Sequence, residues 1–426
     1  MPDTEISKER ALLVGLHIGK QSSVVWQMAF DELAGLVETA GAEVVSTIKQ
    51  SRDVPEPATY IGKGKLQELT ALVRELEANL VVFDSELSPA QVRNLEQILP
   101  CKVLDRTQVI LDIFAGRAQT KEGKLQVELA QLSYLLPRLT GKGIELSRLG
   151  GGIGTRGPGE TKLEADRRRI RDRISDLKRE LREVRRHREV QRQQRKKRDI
   201  PVIALVGYTN AGKSSLLRAI VERVGSGSKD VAEGKNRLFD TLDPTARRTM
   251  LPDGRTAIFT DTVGFIQQLP HQLVDAFRAT LEETVESDLL LHVVDASHPA
   301  YDVQMQTVYD VLDELGVKNK PIITVFNKID IVSNKLLADD PQANHTVRLS
   351  AKTGEGIPGL IRLISEWSNR SAVTMQVLMP YNEGPFVARL HAECKIYHQE
   401  FLEEGILLKL DAKPEFVDRL TRYKVT

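Results

Sequence analysis

The sequence predicts an α/β protein with four consecutive regions. Two of them, 1–116 and 200–370, alternate short apolar runs with segments that carry apolar residues every three or four positions. Such alternation is typical of open parallel sheets with helices on their faces. Region 117–199 has helical patterns only and predicts a helical hairpin, whereas region 371–426 predicts a small α+β domain. A length of 426 residues is sufficient for several domains.

The first region predicts an α/β N-terminal domain. Its apolar runs predict strands at Ala11–Leu16, Val44–Ile48, Leu80–Phe83 and Lys102–Leu104. Its helical spacing predicts helices at Val25–Thr39, Lys65–Ala78 and Pro89–Ile98. The same criteria applied to the fourth region predict strands at Met375–Met379 and Gly405–Leu410, and helices at Pro385–Glu393 and Pro414–Tyr423.

The second region predicts two helices joined by a glycine-rich loop. One helix is predicted at Leu125–Leu136 and a longer one from Glu160. The longer helix carries an apolar seam formed by Ile170, Ile174, Leu177, Leu181 and Val184. The expected partners on the first helix are Val127, Leu129, Leu132 and Leu136. Eight glycines between residues 141 and 159 predict a loop that is flexible or ordered only on a partner.

Positive charge is concentrated in the longer helix. The chain has a net charge of +1, but residues 167–198 contain 16 Lys or Arg and five Asp or Glu, a net of +11. The acidic side chains of this helix can pair with only some of its basic side chains, so nucleic-acid phosphates are the expected counter-charge for the rest. No RNA-binding aromatic motif or zinc-finger spacing occurs, which favours recognition by shape and phosphate. Weak peripheral association with acidic lipid is a minor alternative.

Composition excludes several classes of protein. Hydrophobic residues make up 41% and charged residues 28% of the chain, which excludes a disordered or collagen-like protein. Two distant cysteines, Cys101 and Cys394, exclude a disulfide framework and a zinc site of paired cysteines. The polar first ten residues predict no secretory signal, and no apolar run reaches the roughly 18 residues of a membrane span. We expect a cytoplasmic monomer.

The most informative motif follows an apolar strand at Val202–Val206 and precedes a helical pattern. It has the form G-x-x-x-x-G-K-S and comprises Gly207, Tyr208, Thr209, Asn210, Ala211, Gly212, Lys213 and Ser214. Its glycines allow backbone amides to converge on phosphate oxygens at a helix N-terminus. The lysine supplies a cation to the β- and γ-phosphates, and the serine hydroxyl is a ligand for Mg²⁺. The motif therefore predicts a nucleoside triphosphate site.

A second motif follows the predicted strand Thr256–Phe259 and consists of Asp261, Thr262, Val263 and Gly264. A carboxylate at this strand end is placed to hold Mg²⁺ through water. The glycine allows a backbone amide to approach the γ-phosphate.

Two further motifs predict that the base is guanine. Asn327, Lys328, Ile329 and Asp330 follow the predicted strand Ile322–Phe326, and Ser350, Ala351 and Lys352 follow Thr346–Leu349. The carboxylate of Asp330 can accept hydrogen bonds from N1–H and the 2-amino group of guanine, and adenine has neither. An unmade charged hydrogen-bond pair costs about 2–5 kcal/mol, which is sufficient to favour GTP over ATP. The amide of Ala351 is expected to contact the guanine O6.

The segment between the first two motifs predicts a nucleotide-sensitive switch. It contains Phe239, Asp240, Thr241, Leu242 and Asp243. A GTPase requires a threonine that closes over Mg²⁺ and the γ-phosphate. We predict Thr241 for this role, with Thr245 as the alternative. The predicted catalytic set is Lys213, Thr241 and Gly264, and the predicted metal set is Ser214, Thr241 and, through water, Asp261.

The residue after Gly264 is Phe265, which has no group that can orient an attacking water. We therefore predict slow intrinsic hydrolysis and a partner that orders the water or supplies a cation, an effect worth about 10³–10⁵ in rate. The alternative is that Phe265 is a core residue and that Gln267 or Gln268 orients the water.

Taken together, these motifs resemble the HflX family of ribosome-associated GTPases over nearly the whole chain. The likeness lies in Tyr60–Lys65, in Gly151–Glu160 ahead of the basic helix, in Phe239–Thr245 and in Asp261–Phe265. The glycine-rich loop followed by the basic helix is its most specific element, because the phosphate and guanine motifs occur in many GTPases. The F-x-T-L pattern, similar to the switch segment of Obg-like and HflX-like GTPases, favours Thr241.

The resemblance implies a P-loop GTPase that binds the 50S ribosomal subunit and splits 70S ribosomes, releasing stalled particles under heat or other stress. Ribosome-stimulated hydrolysis of GTP to GDP is expected. The resemblance also implies a weaker ATP-hydrolysing capacity in the N-terminal domain, where Gly62–Lys65 can meet a phosphate; an RNA-facing loop is the alternative there. The same sequence supports a second function, that of an assembly checkpoint or placeholder on free large subunits without splitting.

Overall fold

The computed structural model describes residues 8–19, 22–139, 162–196, 200–224, 239, 245–267, 281, 283–317, 320–332, 338–368, 373–412 and 414–425. The described strands form three separate sheets of four, six and three strands. The predicted α/β fold class is confirmed, with parallel sheets near the N-terminus and in the middle of the chain.

The first sheet is parallel and has the strand order β2-β1-β3-β4. Its strands are β1 (Arg10–Ile18), β2 (Glu43–Arg52), β3 (Leu80–Phe83) and β4 (Lys102–Asp105). Three helices connect them: α1 (Ser23–Thr39), α2 (Lys63–Glu75) and α3 (Pro89–Ile98). Alternate residues of β1 enter opposite cores, so that Leu13 packs with Phe30 of α1 and Leu12 packs with Leu69 of α2. All seven elements were predicted, with small differences at their ends.

Two helices follow β4. Helix α4 (Arg106–Arg117) begins at once because Asp105 accepts a hydrogen bond from the Gln108 amide and so caps it. This helix was not predicted. Helix α5 (Lys121–Arg138) contains the predicted Leu125–Leu136 and packs Val127 and Ala130 into the core beneath the first sheet.

Helix α6 (Lys162–Lys196) spans 35 residues. It lies antiparallel to α5, because Arg173 pairs with Glu128 while Arg188, later in α6, pairs with Glu122, earlier in α5. Leu177 and Leu181 of the predicted seam are buried against Leu125, Leu129 and Leu132. The expectation that Val127 faces this helix is wrong, because Val127 points into the core of the first sheet and Leu125 takes its place. The guanidinium of Arg173 also donates two hydrogen bonds of 2.7 Å to Glu128. The glycine-rich loop at 141–159 lies outside the described residues.

The second sheet has the order β10-β9-β8-β5-β7-β6 and is parallel except for β6. Its strands are β5 (Val202–Gly207), β6 (Thr245–Met250), β7 (Thr256–Asp261), β8 (Leu289–Asp295), β9 (Ile322–Asn327) and β10 (His345–Arg348). Helices α7 (Lys213–Val224), α8 (Tyr301–Glu314) and α9 (Ile357–Ser368) cover it on both faces. The predicted strands preceding the four nucleotide motifs are present, and their carboxyl ends meet at one edge.

The third sheet is antiparallel, with the order β11-β13-β12. It consists of β11 (Val373–Met379), β12 (Lys395–Leu402) and β13 (Gly405–Ala412), with α10 (Gly384–Glu393) and α11 (Pro414–Leu420) packed on one face. Strand β12 was not predicted, because a bulge between Ile396 and His398 breaks its alternation. Across the described parts of the chain, every helix is too short or too polar to cross a membrane.

Candidate nucleotide site

The loop between β5 and α7 is tightly curled, and two glycines make the curl sterically possible. Gly207 has φ +151° and Gly212 has φ +96°. A Cβ on Gly207 would lie 2.2 Å from the Val293 carbonyl oxygen, and one on Gly212 would lie 2.3 Å from Nδ2 of Asn327. Only glycine fits positions that combine positive φ with such close approach. The loop therefore has the form expected of a phosphate-binding loop.

Lys213 stands at the N-terminus of α7 and is 7% exposed. Its ammonium donates to the carbonyl oxygens of Gly207 (3.0 Å) and Tyr208 (2.8 Å). Burial lowers the pKa of Lys213 to about 8, an effect opposed by the nearby negative charge of Asp261. A partly desolvated cation in this position interacts strongly with a phosphate that enters the loop.

Ser214 and Asp261 lie side by side, and the Ser214 hydroxyl donates to Oδ2 of Asp261 over 2.6 Å. Hydroxyl and carboxylate oxygens are hard ligands suited to Mg²⁺, which keeps several waters and takes one or two protein ligands beside substrate phosphates. These two residues fit the predicted ion. No cluster of three or more His, Cys, Asp or Glu side chains able to hold a metal occurs in the described ranges.

The segment after β7 is hydrogen-bonded to the phosphate loop. The Phe265 amide donates to the Gly207 carbonyl (3.1 Å), and the Thr209 amide donates to the Phe265 carbonyl (2.8 Å). Gly264 lies against the loop, because a Cβ built on it would be 2.9 Å from Cα of Thr209 and 3.1 Å from Nζ of Lys213. The Thr262 hydroxyl donates to the Leu205 carbonyl (2.6 Å). Lys213, Ser214, Asp261 and Gly264 are thus brought together.

Phe265 is 2% exposed and packs in the core with Val206 and Tyr309. Its ring is therefore a core side chain of the GTPase region. Gln267 is also buried, at 5% exposed, and Gln268 lies outside the described residues.

At the other end of the site, Asn327 connects three of the predicted motifs. Its Nδ2 donates to the Ala211 carbonyl (2.9 Å), and its Oδ1 accepts from the Ala351 amide (2.9 Å). The Ala351 amide, predicted to contact the guanine O6, is thereby held beside Asn327. The next loop is fixed by Ser350, whose hydroxyl accepts from the Thr353 amide (3.1 Å).

Lys328 adopts a left-handed conformation, φ +65°, and its ammonium donates to Asp295 over 2.6 Å. Asp330 follows in a 3₁₀ turn (Ile329–Ile331) and is exposed, as is Lys352. An exposed carboxylate beside the anchored Asn327 is available to the edge of a base.

The predicted switch segment is represented by one described residue, Phe239. It is 3% exposed, and its ring meets that of Phe114 in α4 edge to face at 4.7 Å. Phe239 and Val263, both predicted at the nucleotide, place their side chains in the core under the first sheet. Asp240, Thr241, Leu242 and Asp243 lie outside the described residues, and the alternative, Thr245, begins β6.

Two residues that adjoin the site from the first region were not predicted. Glu32 lies in α1 and Arg106 in α4. They contact Tyr208, which belongs to the phosphate loop, and Gln267, which lies just beyond Phe265. Because Glu32 and Arg106 are far in sequence from every nucleotide motif, no local pattern predicts this contact. The available signal was weak, because α1 and α4 each contain three charged residues and no local pattern distinguishes Glu32 or Arg106 from the others.

Three family profiles match the chain. They are described as GTP-binding GTPase N-terminal (residues 27–115), GTP-binding GTPase Middle Region (117–195) and 50S ribosome-binding GTPase (202–328). The GTPase HflX of Lacrimispora saccharolytica is 50% identical over 401 residues, which cover 94% of this chain and 93% of that protein. This chain belongs to the HflX family of GTPases.

Other relatives extend the same likeness. The GTPase HflX of Escherichia coli K12 is 42% identical over 96% of this chain and 94% of its own length. Among solved structures, a GTP-binding protein from the archaeon Sulfolobus solfataricus in complex with GDP is 26% identical, covers 85% of this chain and 99% of its own, and has a TM-score of 0.44. Membership of the family makes this chain a GTP-binding GTP hydrolase.

Proposed function

We propose that this chain is a GTP-switched factor that binds the large ribosomal subunit and dissociates 70S ribosomes, rescuing stalled particles under stress. The match of residues 202–328 to the 50S ribosome-binding GTPases supports the partner. The proposal rests on one observation: the long basic helix α6 contacts both α5 and the GTPase region.

Helix α6 presents a stripe of exposed cations. Arg171, Lys178, Arg182 and Arg186 are exposed and follow one another at spacings of seven, four and four residues, which places them along one face. At 1.5 Å per residue the helix is about 50 Å long, so this stripe can follow several phosphates of a folded RNA. The apolar side of the helix is already used, because Leu177 and Leu181 are buried against α5. This disfavours a lipid surface as the partner.

The helix is also connected to the nucleotide-binding region. Arg188 pairs with Glu122 of α5 (2.6 Å) and lies 3.9 Å from Glu283, which precedes β8. A change in the GTPase region is therefore transmitted to the helix that meets RNA. GTP would set the position of the helix, opposing the contacts between subunits, and hydrolysis would permit release.

The chemistry follows from the site. Lys213 neutralises phosphate charge, the Gly264 amide approaches the γ-phosphate, and Asp330 accepts from the guanine edge. Ser214 and Asp261, together with Thr241, would hold Mg²⁺, which supplies charge stabilisation at the β- and γ-phosphate oxygens. The side chain of Phe265 carries no polar group that could orient the attacking water. The ribosome is therefore expected to order this water or to supply a cation.

Sedimentation of 70S ribosomes in sucrose gradients tests the function. The full chain with a non-hydrolysable GTP analogue should convert 70S particles to subunits, and deletion of residues 141–159 should abolish this while nucleotide binding persists. Charge reversal at Arg171 and Arg182 should also abolish it, whereas the matched control, reversal of the exposed Arg74 and Arg362, should not. Binding to 50S particles without any loss of 70S would instead support the checkpoint function, and binding to neither would exclude both.

A further inference from the structure

A buried polar cluster joins the first region to the nucleotide site. It consists of Glu32, Arg106, Tyr208 and Gln267, and we call it the interdomain cluster. The Arg106 guanidinium donates to Glu32 (2.5 Å), to the Ala29 carbonyl (3.0 Å) and to the Gln267 carbonyl (3.1 Å). The side chains of Arg106 and Glu32 are 3% and 8% exposed.

The two residues on the GTPase side complete the cluster. The Gln267 amide donates to the Tyr208 hydroxyl (2.9 Å), with the Glu32 carboxylate 3.3 Å away. The Tyr208 hydroxyl is itself hydrogen-bonded to Glu32, and burial together with the negative charge of Glu32 raises the pKa of Tyr208. Both backbone polar groups of Gln267 are therefore held by this cluster, which includes two charged side chains of the first region.

The restraint on Gln267 bears directly on the phosphate pocket. Two residues before it, the Phe265 carbonyl accepts from the Thr209 amide, one of the loop amides that otherwise face phosphate oxygens. Three residues before it, Gly264 lies against Lys213 and Thr209, so that even an added methyl carbon would be 3.1 Å from the ammonium. A γ-phosphate that contacts Lys213 requires the 264–267 segment to move away from the loop.

We propose that Glu32 and Arg106 are positioning residues that hold the 264–267 segment closed on the phosphate loop and thereby set the preference between GDP and GTP. GDP, which has no γ-phosphate, binds with the segment in place. GTP binds only when the bonds to Gln267 are broken, so any partner that moves the first region away from the GTPase region favours GTP. The inference depends on the GTPase activity and not on the proposed action on ribosomes.

The geometry explains why these groups are more than a structural ion pair. A pair that served only to join two domains would need no contact with the phosphate loop, whereas this cluster reaches Tyr208 within the G-x-x-x-x-G-K-S motif. Buried charged hydrogen bonds also break as a unit, because an ion left without its partner in the interior is costly. We therefore expect the cluster to be either fully formed or fully broken.

Dissociation constants of the full chain for GDP and for a non-hydrolysable GTP analogue test the proposal, together with KM and kcat for GTP. Glu32→Gln is isosteric and weakens the charge-assisted hydrogen bonds of the cluster. It should therefore tighten binding of the GTP analogue about tenfold and change GDP binding by less than about twofold. KM for GTP should fall with kcat changed much less. Tyr208→Phe should shift the ratio in the same direction by a smaller factor.

Arg138→Gln is the matched control, because Arg138 of α5 forms a comparable ion pair with Asp105 and Glu86 of the first region. Its other partners, the carbonyls of Tyr134 and Leu87, also lie outside the GTPase region. It should leave the ratio of the two dissociation constants unchanged. An unchanged ratio in Glu32→Gln and Tyr208→Phe overturns the proposal. So does weaker analogue binding in Glu32→Gln, or an equal shift in Arg138→Gln, which would indicate general loosening of the first region.

Discussion

Two described segments, 62–65 and 207–214, both place Gly and Lys at the start of a helix, but of these two only 207–214 has the curled form of a phosphate loop. In the GTPase region, Gly212 has positive φ and Lys213 is buried. In the first region, Gly62 has φ −67° and Lys63 is exposed, so that α2 begins without a curl. The Gly62 amide is already bonded to Oε1 of Gln50 over 2.9 Å.

The difference shows that a phosphate site depends on backbone curvature and burial more than on the presence of Gly and Lys. At residues 62–65 the helix amide has an intramolecular acceptor, and Lys65 pairs with Glu68 over 2.9 Å. Within the described residues, the curl with its buried lysine occurs at 207–214. The ATP-hydrolysing capacity that the family resemblance implies for the first region thus stays a prediction.

The largest expected effect contrasts the two lysines. Lys213→Ala should lower kcat/KM for GTP by about 10²–10³, because a preorganised cation at the transferring phosphoryl group is lost. Lys63→Ala should change it by less than about twofold, since that side chain is exposed and far in sequence from the nucleotide motifs. Steady-state phosphate release measures both. Comparable losses would show that residues 62–65 take part in GTP hydrolysis.

The next effect concerns the base, which only the GTPase region is predicted to read. Asp330→Asn should weaken GTP binding about a hundredfold, as expected for a lost charged hydrogen-bond pair of about 2–5 kcal/mol. Xanthosine triphosphate should bind better than it does to the unmodified chain, because it presents an acceptor to the new amide. Competition titrations with ATP as the third nucleotide check this, and unchanged GTP affinity would remove Asp330 from the base site.

A smaller effect compares the glycines. Gly212→Ala should lower stability by about 1–3 kcal/mol and weaken GDP binding about tenfold, because Cβ would meet Asn327 at 2.3 Å with φ at +96°. Gly64→Ala should raise stability by about 0.4–1 kcal/mol, since nothing lies within 4 Å and the residue is helical. Thermal denaturation with and without GDP distinguishes them. Equal destabilisation would mean that residues 62–65 are as constrained as the phosphate loop.

The smallest effect is a pH dependence specific to Lys213. Its pKa of about 8 lies below that of an ordinary lysine, so the cation is present at pH 7 and is progressively lost above pH 8. GDP affinity should therefore fall about fourfold between pH 7 and pH 8.5, because binding requires the protonated form and takes up a proton. Isothermal titration in buffers of different ionisation enthalpy detects this uptake. A flat profile would contradict the lowered pKa.

Much of the fold was predictable from local patterns. The seven elements of the first sheet region and the strands before the nucleotide motifs follow from apolar runs and helical spacing, which depend on short stretches of chain. Helix α4 and strand β12 were not predicted. The apolar residues of α4 surround the whole helix and leave no helical period, and the bulge in β12 interrupts the alternation of a strand. The limits of the four regions, and the role of each site residue, stay predictions.

The sequence alone determined the nucleotide chemistry, because the phosphate and base motifs are short segments whose spacing and flanking strands specify their geometry. Only the tertiary structure decided where Phe239, Glu32 and Arg106 lie. Their contacts join residues more than a hundred positions apart in the chain, such as Arg106 and Gln267. No local period or propensity encodes such a pairing, since it arises from how two separately patterned sheets pack against each other.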